Sequence, residues 1–179
     1  IIGGGMAYTF QKAMGGHIGN SLCEDDKLDL AKELLARAAY KGKRIVLPVD
    51  LAWVRDGRRE EAKFDRIPEE IGAVDVGAET ASLYCERILR AKTAFVNGPM
   101  GVFEKPESEL GTQVVWQALA DTTAFTVLGG GDIITATEKY GLTEKMGYIC
   151  TGGGALSRFL SGEELPMVNA LRHWSTLPQ

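Results

Sequence analysis

Three glycine triplets, at residues 3–5, 129–131 and 152–154, are where this chain has the most prospect of chemistry, although they carry no side chains. Each follows a short apolar run and leads into a helix-like stretch: "IIGGGMAYTF", "VLGGGDIITATEKYG" and "YICTGGGALSRFL". A glycine loop opening a helix leaves backbone N–H groups unpaired at the positive end of the helix dipole. Without Cβ atoms an oxyanion can come right up to those amides, and phosphate is the usual occupant. A single glycine loop is explained as well by a tight turn, since glycine adopts the turn conformations that other residues avoid. Three such loops on one edge call for a ligand.

Asp132 directly follows the second triplet. A bare carboxylate would repel phosphate, but it becomes useful if it holds Mg²⁺, a hard cation that bridges carboxylate and phosphate oxygens. It could equally cap a helix beginning at Ile133. Both roles stay open on sequence alone. The stretch "FVNGPMGVFEKPE", residues 95–107, is of another kind. Asn97 both donates and accepts, Pro99 fixes a turn, Gly101 permits close approach, and Val102 and Phe103 offer apolar surface. Glu104 has the valence to accept from a pair of sugar hydroxyls, or to serve simply as a surface charge. Trp53, Trp116 and Trp174 read as packing residues. Cys150 precedes a helix start without a basic partner and reads as an inert buried thiol.

The elements that must position these residues alternate. Leu28, Ala31, Leu35 and Ala38 recur at helical spacing, with Gly42 as a stop. "RIVLPVDLAWV", residues 44–54, reads as a buried strand. The charged stretch 55–70 has no clear period and reads as an exposed loop or hairpin. Then come strand "AVDVG", helix "ETASLYCERILRA", strand "TAFV", helix "GTQVVWQALA", strand "FTVL", helix "IITATEKYG", strand "YIC", helix "ALSRFLSG", and a short helix and tail. Apolar strands alternating with helices predict an α/β fold: a three-layer, Rossmann-like, doubly wound parallel sheet with helices on both faces. Ligands of such sheets sit beyond the carboxyl ends of the strands. All three triplets should therefore line one rim.

Composition sets the bounds. The 179 residues are enough for one sizeable core, with 45% hydrophobic and 25% charged residues, as in a globular protein. No linker or composition shift divides residues 1–179. A net charge of −4 and a pI near 5.3 argue against a nucleic-acid surface. No apolar run is long enough for a membrane span. Three separated cysteines without a CxxC pair suggest reduced thiols and a cytoplasmic setting, and the histidines His17 and His173 leave little material for a triad. No triplet completes GxGxxG, and no GxxxxGK[ST] occurs, which opposes both a dinucleotide oxidoreductase and a P-loop ATPase. The chain opens at Ile1 inside an expected strand, and reads as a fragment or as the ordered part of something longer.

The motifs "IIGGGMAYTF", "LPVD", "VDVGAET", "NGPMGVFE", "GGGD", "TGGGA" and "GEELP", in this order and spacing, resemble phosphoglycerate kinase. The resemblance covers nearly the whole chain and points to the carboxyl-terminal, nucleotide-binding domain of that two-domain enzyme. It implies reversible phosphoryl transfer between 1,3-bisphosphoglycerate and ADP in glycolysis, with Mg²⁺. Carried over, Gly4, Gly5, Gly77 and Val102 would form the adenine slot, Glu104 would hold the ribose and Asn97 would lie near the phosphate chain. Gly130, Gly131, Asp132 and Ile133 would meet the phosphates, with the metal on Asp132. Gly131, Thr151, Gly153 and Gly154 would stabilise the phosphoryl group in flight.

Three positions depart from the family's usual pattern. Ile133 stands where Thr or Ser is usual, at a cost of about 1.5–3 kcal/mol if the lost hydroxyl bond to phosphate is not replaced. Cys150 replaces a serine and Ala78 a proline. The family's amino-terminal domain, which binds 3-phosphoglycerate or 1,3-bisphosphoglycerate, and the strand, lysine-bearing loop and helix that begin the nucleotide domain, have no counterpart in this sequence. The expectation is a monomer that binds adenine nucleotide weakly and does not turn over alone. The competing expectation is a non-catalytic nucleotide-binding or regulatory module.

Overall fold

A computed structural model describes residues 1–175. Its centre is a parallel sheet of β4 (Thr93–Val96), β5 (Phe125–Gly129) and β6 (Tyr148–Cys150), with Phe95 opposite Val127 and Val127 opposite Tyr148. Side chains alternate across these strands. Ala94, Val96, Leu128 and Ile149 point into the main core, where α3 (Ala78–Leu89), α4 (Leu110–Asp121) and α5 (Gly131–Lys139) cover the sheet with Tyr84, Trp116, Leu119 and Ile133. On the opposite face, Leu156 of α6 (Gly153–Leu160) sits over Gly129. Helices thus flank both faces as expected, but α6 reaches only the carboxyl end of its face. Phe95, Phe125 and Tyr148 stay exposed there, so these strands are not buried on both sides.

The amino-terminal half differs from an all-parallel reading. β1 (Asp50–Arg55) pairs antiparallel with β2 (Arg58–Lys63) and with β3 (Asp75–Val76), forming a separate three-stranded sheet. The cause is local: Asp56 and Gly57 both take positive φ, 50° and 72°, the two-residue turn that an Asp-Gly pair favours. Of the two readings of the charged stretch, the hairpin is observed. The strand expected over 44–54 begins only at Asp50, and the chain opens outside any strand. Their one shared backbone bond, Ile2 N–H to the Val46 carbonyl at 3.0 Å, does not make a ladder.

α1 (Gly4–Ala13) and α2 (Leu28–Tyr40) pack through Phe10, Ala13 and Ala31, while Tyr8, Leu51, Trp53 and Phe64 make a second small core. Trp53 and Trp116 are buried with satisfied indoles, donating to Glu60 and Thr137 at 2.9 Å each. Trp174, expected to pack, is instead 76% exposed on α7 (Pro166–Ser175). The three cysteines are free thiols, and Cys150 is half-buried rather than enclosed. Among the described residues no helix is long and apolar enough to cross a membrane.

Candidate functional site

The glycine loops do meet at one rim. Gly130 donates to the Cys150 carbonyl at 3.2 Å, and a Cβ on Gly153 would stand 2.6 Å from the Gly130 Cα. The loops after β5 and β6 therefore touch backbone to backbone. Asn97, just past β4, accepts a hydrogen bond from Ser157 of α6 at 2.9 Å. Gly4, at a φ of 61°, donates to the Met100 carbonyl at 2.8 Å, which joins the first triplet to the loop after β4. The starts of α5 and α6 are thus in contact, and the start of α1 is joined to the loop after β4. All three helices lie behind glycine N-caps (Gly3, Gly130, Gly152), none with a side-chain cap.

The start of α3 makes the contrast. Its first amides are already taken: Asp50 accepts from the Glu79 and Thr80 N–H groups at 3.0 and 2.8 Å, and from the Thr80 hydroxyl. A Cβ on Gly77 would fall 2.3 Å from the Asp50 carboxylate, so the absence of a side chain at Gly77 is explained inside the protein. Asp50 lay in the motif "LPVD", yet nothing in the sequence singled out its carboxylate. Its partner Thr80 is 30 residues away, and only the fold brings them together.

Asp132 is not a cap. α5 starts at Gly131, earlier than a capping Asp132 requires, and Gly130 occupies the cap position. The Asp132 side chain is exposed in the first turn and makes no hydrogen bond or ion pair to the described residues. Ile133 also differs from expectation. Its side chain is 1% exposed in the main core, so a hydroxyl here would enter packed hydrocarbon, and the position can offer a ligand only its backbone. Gly154 and Thr151 are exposed at the rim and Gly153 is buried between the loops. Gly5 packs close to Leu22.

The loop carrying Val102 and Glu104 is held from several sides. Val102 donates to the Val74 carbonyl at 2.8 Å and accepts from the Ser108 hydroxyl at 2.6 Å. Thr112 accepts from the Met100 N–H at 3.2 Å. Beneath it lies Asp75, fully buried, accepting from Arg59 at 2.9 Å and from the Gly111 N–H at 2.7 Å. Burial pushes the Asp75 carboxyl above the usual carboxylate range, against the downward pull of the Gly111 amide and the Arg59 guanidinium. Gly101 and Gly111 have no room for a Cβ: at Gly101 it would lie 2.2 Å from the Val74 carbonyl oxygen, and at Gly111 2.3 Å from Asp75 Oδ1. Val102 and Glu104 remain exposed at the loop's tip. Arg59 and Asp75, missed in the sequence, are separated by 16 positions and paired by the small antiparallel sheet.

Beside the rim, a cavity of about 440 Å³ separates Ile1, Ile2 and Gly3 from the outer edge of β4 at Thr93–Val96. That edge has no strand partner among the described residues.

The phosphoglycerate kinase family model matches residues 1–163. Among solved structures, the chain is similar to phosphoglycerate kinase from Coxiella burnetii, with 39% identity over 93% of this chain and a TM-score of 0.88. It is also similar to the enzyme from Pyrococcus horikoshii OT3, with 37% identity over 95% of the chain and a TM-score of 0.82. The chain spans 44% of the length of each.

Proposed function

Since this chain belongs to the phosphoglycerate kinase family, we propose that it is the adenine-nucleotide-binding half of such a kinase, serving reversible phosphoryl transfer between 1,3-bisphosphoglycerate and ADP in glycolysis. One observation carries the reading: helix starts without side-chain caps gather at one rim, beside a carboxylate, Asp132, that has no partner among the described residues. Adenine nucleotide lies with its base between the first triplet and Val102, near Gly77, and with its ribose hydroxyls on Glu104. Its phosphates reach Gly130 and Gly131, with Asn97 alongside.

Asp132 fits Mg²⁺ as a single hard oxygen donor. An ion held there would be shared with phosphate oxygens, as Mg²⁺ usually is. When bound, the ion neutralises charge on the phosphates. The protein's own contribution is positioning and fixed dipoles. The amides of Gly131, Gly153 and Gly154, with Thr151, face the charge that develops on the transferring group and need no reorganisation to do so. No nucleophilic side chain is required.

The cavity beside β4 accommodates the strand that begins the nucleotide domain in the family's pattern, and the phosphoglycerate side of the reaction belongs to a separate amino-terminal domain. The chain alone is accordingly a weak nucleotide binder without turnover, a monomer, and cytoplasmic. Calorimetry with ADP tests the reading: binding that strengthens with Mg²⁺ in the wild type and loses that response in Asp132→Asn supports it. A response to Mg²⁺ that survives the substitution removes Asp132 from the metal site, and absence of ADP binding removes the assignment.

A further inference from the structure

Lys139 ends α5, the helix whose first turn carries Gly131 and Asp132, yet its ammonium reaches across to the nucleoside loop. It donates to the Phe103 carbonyl at 2.6 Å and pairs with Glu109 at 2.6 Å. No other donor among the described residues reaches that carbonyl, and Phe103 itself is anchored, 3% exposed, in the main core. The Phe103 carbonyl and the Glu104 N–H belong to one rigid peptide plane. Glu104, next along, is exposed and makes no hydrogen bond or ion pair of its own. The place of its Cα, from which the side chain springs, is therefore set through the backbone that Lys139 holds.

Resting on the nucleotide reading above, we propose that Lys139 is a positioning residue that gives the site its preference for a ribose over a 2′-deoxyribose. One end of α5 meets the phosphates, and the other fixes the peptide plane that aims Glu104 at the sugar hydroxyls. Glu109 holds the ammonium in place, and a lysine in the last turn also suits the helix dipole. A spacer role alone would be met by any long side chain. The charged donor on a carbonyl otherwise left unpaired is what singles out lysine.

The test is calorimetry of the chain with Mg²⁺ and three probes: ADP, 2′-deoxyADP and inorganic pyrophosphate. Wild type is expected to prefer ADP over 2′-deoxyADP by roughly tenfold, the worth of one hydrogen bond to a carboxylate. Lys139→Met should bring that ratio close to one while leaving pyrophosphate affinity within about twofold, and Lys139→Arg should restore the preference. If Lys139→Met does not fold by circular dichroism, Lys139→Gln, too short to reach, carries the same expectation. An unchanged ratio, or an equal loss for all three probes, overturns the proposal and leaves the nucleotide reading standing. Wild type that binds no ADP overturns both.

Discussion

Gly153 rests directly on Gly130, backbone against backbone, in a space that a single methyl group would close. This contact sets the distance between the loops after β5 and β6, and hence the spacing of their amides. Gly153→Ala is expected to destabilise the fold by about 1–3 kcal/mol through overpacking and to abolish ADP binding. Gly154 has open space around it. Gly154→Ala should leave the fold intact or up to about 1 kcal/mol more stable, as alanine is the better helix former. Its added methyl should still weaken ADP binding. Urea denaturation and calorimetry on both variants separate a glycine kept for packing from one kept for a ligand.

Asp50 does for α3 what a phosphate is inferred to do for α5. Asp50→Ala is expected to cost about 2–3 kcal/mol, since it strips charged hydrogen bonds from the buried Thr80 amide, the half-buried Glu79 amide and the Thr80 hydroxyl. Thermal melts would show it. A variant as stable as wild type would mean that water replaces the carboxylate without loss.

Asp75 makes stability depend on pH. Its carboxyl titrates higher in the folded chain than in the unfolded one, so the folded state holds its proton more tightly. Its contribution to stability is therefore fully present below the ordinary carboxylate pKa and declines as pH rises through the folded value. Relative to Asp75→Asn, wild type should be most favoured at acid pH and lose part of that advantage toward neutrality. Urea midpoints of the two proteins across that range give the sign directly, and a difference growing with pH would reverse it.

The alternation of strands and helices, the parallel sheet and the common rim were all legible, because period, β-branched runs and glycine stops are local signals. The pairs that shape the rim were not. Asp50 with Thr80, Arg59 with Asp75 and Lys139 with Phe103 are joined only by tertiary packing, and each charged member alone reads as an ordinary surface charge. The antiparallel sheet was half visible: "RDGR" spells a tight turn, but the two-residue β3 is too short to announce its direction. Ile133 misled because residue type suggested a lost ligand contact, whereas the helix turns that side chain into the core. Asp132 was ambiguous until the helix start was fixed at Gly131.

Turnover offers a separate check. A coupled kinase assay with the chain alone is expected to show none, on the proposal that the phosphoglycerate site belongs to a separate amino-terminal domain. Ordinary turnover would place the phosphoglycerate site within these residues.

Backbone amide NMR during titration with ADP and Mg²⁺ addresses the shared phosphate rim most directly. Amides of Gly5, Gly131 and Gly154 should shift together along one saturation curve, while Thr80, whose amide Asp50 already holds, stays still. Shifts confined to one loop, or none at saturating nucleotide, would contradict a common cradle.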